Sequence, residues 1–452
     1  MSLPKNVLYQ NSIESSFARN YNNNIAPQNG MGPYGVGETI IINIPTGRNL
    51  VMSGADSLLK IGLSVKNSTN GCNFIRLDKA GIYSIFQRIR VFHGSTLLSD
   101  IDNINNLVAM LMCLQQSGDS AKGKMSILAG IESKYVTTDA VSDLAYSEVM
   151  SLITGEKLNN SVLNAGNDTT ERIFTIPIMN FLSYSDKYIP LFAMTGAPLR
   201  IEIQLIDSVK KGICCELEPT SMSVTNVEYI CNFMEISDSG MEKIYSSIGG
   251  GPLKWVVQDY RNYAYSGNVA PNAELSIPLP AKYNSLRSLF TSMRAFNSGA
   301  ITYFPLDSNH FGLESYTFRL GSKTVPTKAP GSISEFFGEL VRAIGSVSDL
   351  NHEPNINVIS YNVQASSGNN ETAAKATENS SGSSFYLGLD LESYSSSGMD
   401  SVYQGYNSST DDIFFSPKFS SGASTISPAR FDTYAYFDQV IIIENGFASV
   451  QF

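Results

Sequence analysis

Histidine is nearly absent from this chain, with three residues in 452: His93, His310 and His352. None stands in an HExxH or HxH spacing or beside a cysteine, so no zinc-type ligand set is spelled out. The GxSxG elbow and the GxxxxGK[ST] phosphate loop are missing too. "SIGGGPL" at 247–253 is followed by neither Lys-Ser/Thr nor a helical pattern and reads as a hinge. Cys72, Cys113, Cys214, Cys215 and Cys231 are odd in number, include one adjacent pair and form no CxxC. They make a poor disulfide framework and read as free thiols. Charged residues are 16% of the chain, against roughly 25% in an average soluble domain. The net charge is −10 and no run of Lys and Arg occurs, which argues against specific nucleic-acid binding. No apolar stretch approaches the roughly 18 residues of a membrane span. The N-terminus lacks the charged start and long apolar core of a signal peptide, so a soluble chain made in a cytosol is expected.

What the sequence does have is 23 Tyr and 23 Phe against one Trp, within a 42% hydrophobic composition. Aromatic and β-branched runs separated by Gly, Asn and Ser turns point to an all-β protein, and the length to two or three domains. Residues 1–37 are polar and rich in Asn, Gly and Pro ("NYNNNIAPQNGMGPYGVG") and read as an extended arm. "ETIIINIPTG" and "DSLLKIGLSVKN" read as strands. In "SIFQRIRVFHGSTLLSD" the alternation sets Ile85, Gln87, Ile89 and Val91 against Phe86, Arg88 and Arg90. A helix follows over 103–116. Ile104, Leu107, Val108, Leu111 and Leu114 share one face, Asp102 or Asn103 caps the start and Gly118 lies past the end.

The same grammar returns later. "YTFRLGSKTVP" and "ISEFFGELVRAIG" again read strand, Gly-Ser turn, strand, helix, with a capping box of Ser332 and Glu335. The two turn glycines, Gly94 and Gly321, are 321 − 94 = 227 positions apart. "PLRIEIQLI" near 198–206 matches "YFDQVIIIENG" near 436–446 in character. A shift of half the chain predicts two copies of one β domain, at 38–222 and 223–452. The stretch 118–170 reads as long loops with one or two strands, and "ASSGNNETAAKATENSSGSS" at 365–384 as an exposed, mobile loop.

Between two strand-like ends, "FTIPIMNFLSYSDKYIPLFAMTGAPLRIEIQLI" carries an apolar middle punctuated by Pro177, Pro190 and Pro198. Proline fixes φ and needs no ladder partner, which suits a crossing between two sheets. Such a crossing lies over the core, so Phe181, Tyr184, Tyr188, Leu191 and Phe192 are expected to close one end of a sandwich. Two acidic pairs, Asp390 with Glu392 and Asp411 with Asp412, stand out. Their ordinary use is in turns and caps, and their chemical use is as the carboxylates of a glycosidase. A weak calcium site in "SSTDDI" is a further use.

The crossover resembles the major capsid proteins of double jelly-roll viruses at Ile176, Pro177, Ile178, Phe181, Ile189, Pro190, Leu191, Leu199, Ile201, Ile203 and Leu205. "YTFRLGSKTVPTKAP" with its helix, and the closing "FDTYAYFDQVIIIENGFASVQF", are similar to the second jelly roll of polinton-like viruses, adintoviruses and virophages, a lineage that includes adenovirus hexon. The resemblance implies two tandem jelly-roll sandwiches with short helices in the connections. It implies a homotrimeric, pseudo-hexagonal capsomer in the icosahedral shell of a DNA virus, and no cofactor, metal or catalytic residue. The partners it implies are neighbouring capsomers, penton and minor capsid proteins, and an internal membrane. Two other functions fit a tandem β-sandwich. One is a spike or glycan-binding module, which needs Trp or Tyr platforms: the single Trp255, in a strand, speaks against it and the 23 tyrosines speak for it. The other is a carbohydrate hydrolase built on the acidic pairs.

Overall fold

The computed structural model describes residues 18–66, 75–117, 124–130, 171–184, 187–215, 221–295, 305–345, 354, 356, 358–361, 383–393, 404–423 and 425–452. The strands of the first half are β1 (Ala18–Ile25), β2 (Thr39–Ile44), β3 (Leu50–Lys66), β4 (Ile75–Leu77), β5 (Phe86–His93), β6 (Thr96–Asp102), β7 (Arg172–Ile176), β8 (Leu199–Leu205), β9 (Ile213–Cys215) and β10 (Ser221–Ile236). The second half holds β11 (Leu253–Val269), β12 (Ile277–Leu279), β13 (Leu286–Ala295), β14 (Leu313–Leu320), β15 (Lys323–Val325), β16 (Tyr386–Asp390), β17 (Ile413–Phe419), β18 (Ile426–Glu444) and β19 (Phe447–Gln451).

The sheets run β1-β10-β3-β7 and β2-β8-β5-β6 in the first half, and β11-β18-β13-β16 and β12-β17-β14-β15 in the second. β4 and β9 form a separate two-stranded ribbon and β19 adds to β18. With the ribbon and β19 set aside, each half has eight strands. Both then show the same spatial order: first-eighth-third-sixth in one sheet and second-seventh-fourth-fifth in the other. All named pairings are antiparallel. Consecutive strands alternate between the facing sheets except for the fourth and fifth, which form a hairpin within one sheet, and this is the winding of a jelly roll.

This order realigns parts of the sequence reading. The Gly94 and Gly321 turns are equivalent, since β5-β6 and β14-β15 hold the same places, and both glycines carry φ near +60°. The strand matching 199–205, however, is 413–419, and 436–446 overlaps the end of β18, which corresponds to β10. Similar apolar character misled because every buried strand is apolar. β10, read as the opening of the second copy, pairs with β3 and β1 of the first half. β1, read as part of the arm, is a strand whose side chains are exposed up to Ile25. Its polar sequence carries no buried-strand signal, because an edge strand on an exposed face has nothing to bury.

Alternation supplies the core. Leu199, Ile201, Ile203 and Leu205 point inward on β8 while Arg200, Glu202 and Gln204 point out. In β5 a register shift between Phe86 and Arg88 turns Phe86 inward beside Ile89 and Val91 and leaves Gln87 half-exposed. A bulge thus reverses the faces read for residues 86 and 87. The buried apolar residues of both halves form one continuous cluster.

The two equivalent helices differ. In α1 (Ile104–Gln115) every residue up to Leu114 is buried, not only the predicted face. Ala109, Met110, Met112 and Cys113 give it an apolar back as well, so it is wrapped on all sides. Its N-cap, Asn103, is left-handed and makes no side-chain cap bond. The later helix, Ile333–Ile344, buries Phe336, Leu340 and Ala343 against its own roll and leaves the rest partly or fully exposed. Its capping box forms as read: Glu335 N–H donates to Ser332 Oγ (3.3 Å) and Gly331 N–H to Glu335 Oε2 (2.8 Å). Between the halves, helix Asp238–Ile248 is capped by Ser237 and ended by left-handed Gly249.

Candidate functional site

Among the described residues, a buried polar network lies where the two rolls meet, around α1. Asp432 on β18 is fully buried. It accepts from Arg294 on β13, Arg430 Nε (3.0 Å), Asn262 Nδ2 on β11 (3.3 Å) and, from the first roll, Asn103 Nδ2 (3.4 Å). Burial alone would raise its pKa, but Arg294 and Arg430 outweigh that and hold the carboxyl below its ordinary range. Beside it, the Tyr434 hydroxyl donates to the Asn103 carbonyl (2.9 Å) and accepts from Asn106 Nδ2 (3.2 Å). Ser292 Oγ completes the chain by donating to Asn106 Oδ1 (3.3 Å). Asn106 within the apolar helix and Asn103 at its N-cap are thereby satisfied by the opposite roll, while Asn105 Nδ2 donates to the Ser84 carbonyl of its own roll (3.4 Å).

A second set of bonds joins the segment before the 3-10 turn Gly81–Ile85 to the second roll. Lys79 Nζ donates to the Ser383 carbonyl (2.7 Å) and pairs with Asp307 (3.4 Å), its side chain only 4% exposed. Burial lowers its pKa, yet Tyr386 and Asp307 more than offset this and keep the ammonium charged. The Leu306 N–H donates to Asp78 Oδ2 (2.8 Å), and Gln439 Nε2 donates to the Leu98 carbonyl (3.2 Å).

The crossover between β7 and β8 is the third contact. Phe181 is buried edge-on to Trp255 of β11, with ring centroids 5.6 Å apart. Phe192 packs with Val51 and Met241 and lies edge-on to Tyr245. Leu191 and Pro190 are buried, Pro177 is half-buried and its carbonyl accepts from Tyr83 (2.6 Å), and Pro198 is exposed. Tyr188 is 53% exposed and so does not close the sandwich end. The side chain of Tyr184 lies outside the described residues. Further along, Gly196 N–H donates to the Gly446 carbonyl (2.9 Å). A Cβ at Gly196 would sit 2.8 Å from that oxygen, so the approach of the β18–β19 turn requires glycine there. His93 is buried as well: Nδ1 accepts from Ala448 N–H of β19 (3.1 Å), leaving Nε2 to donate to the Met194 carbonyl (3.2 Å).

The other residues singled out in the sequence are placed apart from this junction. Asp390 accepts from Glu392 N–H (2.9 Å) and Glu392 pairs with Arg287 (2.7 Å). Burial raises both carboxyls. Asp411 accepts from Tyr406, and Asp412 pairs with Lys282 (2.9 Å). Each acidic pair is thus held partly within its own turn and partly by a cation on or just before β13. His310 Nδ1 accepts from Gly312 N–H (3.0 Å). Cys231 is a buried free thiol in β10, and Cys113, also free, is the exception that does lie in the junction, on α1 with its Sγ 3.7 Å from Ser384 Oγ of the second roll. His352, Cys72 and residues 365–382 lie outside the described residues, as do the side chains of Cys214 and Cys215. Among the described residues no group of three or more His, Cys, Asp or Glu is placed to hold a metal ion, and no helix is long and apolar enough to cross a membrane. Sequence reasoning missed Lys79, Asn106, Asp432 and Tyr434. The available signals were "INNL" opening an apolar helix and charges recurring within the apolar run of "ARFDTYAYFDQV".

No protein-family model and no curated protein matches the chain. Solved structures do match, over nearly its whole length. A chain of the Sputnik virophage particle aligns with a TM-score of 0.61 at 10% identity, covering 99% of this chain and 91% of that one. The Faustovirus major capsid protein gives 0.60 at 9% identity, covering 97% and 92%. The mavirus major capsid protein gives 0.55 at 10% identity, covering 100% and 93%. Identities this low speak for the fold, and the repeated strand order says the same: the chain is a double jelly roll, of the architecture found in these viral major capsid proteins.

Proposed function

We propose that this chain is the major capsid protein of an icosahedral DNA virus, built into the virion as a trimeric, pseudo-hexagonal capsomer. The observation that carries it is the pair of rolls with identical strand order, matching known capsid proteins end to end with little left over on either side. Three such chains present six similar rolls in a ring, the shape needed to tile a shell. Its role in this reading is structural and not catalytic, with the acidic pairs tying their turns to Arg287 and Lys282. The partners are two further copies of the chain, neighbouring capsomers, and the penton and minor capsid proteins, with an internal membrane beneath. We further propose that the rolls divide at helix Asp238–Ile248, with 18–236 as the first and 253–452 as the second. The crossover residues Phe181, Leu191 and Phe192 then serve to hold the rolls in one orientation. The test is the solution mass by light scattering after gel filtration. A chain of 49.2 kDa makes a trimer of 3 × 49.2 = 147.6 kDa. A trimer that survives dilution, with hexagonal outlines under the electron microscope, supports the proposal; a stable monomer overturns the capsomer.

A further inference from the structure

One buried carboxylate at the roll–roll junction has no cation to answer it. Asp259 lies in the middle of β11, 2% exposed, where β6 of the first roll packs against that strand. Opposite it on β6 is Ser99, also buried. Neither Asp259 Oδ1 nor Ser99 Oγ makes a hydrogen bond of good geometry, although the hydroxyl faces the carboxyl closely enough to favour its charge. The next residue of β6, Asp100, adds a like charge, and its own salt bridge to Arg88 (2.6 Å) occupies the nearby cation. On β11 itself, the Tyr260 N–H favours the ionised carboxylate and Arg261 adds weaker support from two residues away, and burial outweighs both. From β18 the residue in register is Phe437, which is uncharged. Tyr283, stacked on Phe437, is the remaining titratable neighbour, and burial keeps its phenol neutral. Asp432, by contrast, sits in the same junction with two arginines.

We propose that Asp259 is a proton-operated latch between the two rolls: protonated, it is neutral and lets β6 close onto β11; ionised, it is a buried charge with too little compensation, which loosens the contact. Burial pushes its pKa up to about 7, against an ordinary 3.8. A folded pKa above the unfolded one means that the closed junction binds the proton more tightly. Stability from this group is therefore gained as pH falls through about 7 and is lost as pH rises through it. Near-neutral pH thus sets how firmly one roll holds the other. This inference concerns the single chain and does not depend on the capsid reading.

The experiment is amide hydrogen exchange on the full-length protein at pH 8 and pH 6, with protection factors corrected for intrinsic rates. With a folded pKa of about 7, β6 and β11 amides are expected to be about tenfold better protected at pH 6, because one proton is taken up on closing. In Asp259→Asn that difference disappears and both pH values give the protection of the closed junction. Ser99→Ala, which removes a hydroxyl that favours the ionised carboxylate, should enlarge the difference, and a smaller difference in that variant would count against the proposal. Equal protection of β6 and β11 at both pH values in the parent overturns the proposal even if no variant folds. So does an unaltered difference in Asp259→Asn, which would place the titration at Asp390 or Glu392 instead.

Discussion

Lys79 shows how much a single side chain contributes when it bridges the rolls. Its ammonium has left water almost completely and is compensated by Asp307 and the Ser383 carbonyl. A buried charge with one partner removed costs more than the pair contributed, because the survivor keeps its desolvation penalty. Lys79→Met is therefore expected to destabilise the fold by about 3 kcal/mol, the lower end of the usual range because Asp307 is 16% exposed and keeps some water. Denaturant unfolding measures it, and a loss below about 1 kcal/mol would show that the ion pair is dispensable. No local sequence signal marks this residue: "RLDKAG" reads as a surface turn. What buries it is a segment about 300 positions later, since Ser383 is 383 − 79 = 304 residues away.

At the scale of elements, the crossover and α1 are both junction parts, and only one of them announced itself. The crossover was legible because prolines and large apolar residues outside any strand pattern demand an unusual place. Its partner was not: Phe181 meets Trp255, at the start of the second roll. That contact can be read directly, since Trp255 is the sole tryptophan and is buried. Phe181→Ala is expected to cost about 3–5 kcal/mol, and to shift the native tryptophan emission toward the red as water reaches the indole. An unshifted spectrum in a destabilised variant would mean that the cavity closes over. Helix α1 was legible as a helix but not as a buried one. One apolar face was apparent, while burial of its back and of Asn105 and Asn106 depends on a second roll lying over it.

For the whole molecule, two carboxylates in one junction titrate in opposite senses. Asp432 is depressed by its arginines, so its contribution is present above the ordinary carboxylate value of 3.8 and is lost as pH falls below it. Asp259 is raised to about 7, so its contribution fades as pH rises through that value. The chain should therefore be most stable between these limits. Melting temperatures recorded across this range should pass through a maximum; a monotonic rise from acid to alkali would contradict the assignment of Asp259, and a monotonic fall that of Asp432. The continuous core across both halves also predicts that the rolls unfold together and not in separate steps.

The sequence by itself determined that the chain is β-rich, that a strand-turn-strand-helix unit occurs twice, and that a stiff apolar crossover joins two sheets. These are local facts, carried by side-chain period, turn glycines and prolines, and they survive whatever the rest of the chain does. The pairing of strands was decided only in three dimensions. β1 is polar and β10 apolar, yet they lie side by side in register from Ala18↔Ile236 to Ile25↔Tyr229. The same holds for the match of β8 with β17, for the depth of α1, and for the charges sealed between the rolls. Each depends on residues hundreds of positions apart meeting in a dry interior. There, what decides is whether a buried polar group finds its partner, and no window along the chain contains both.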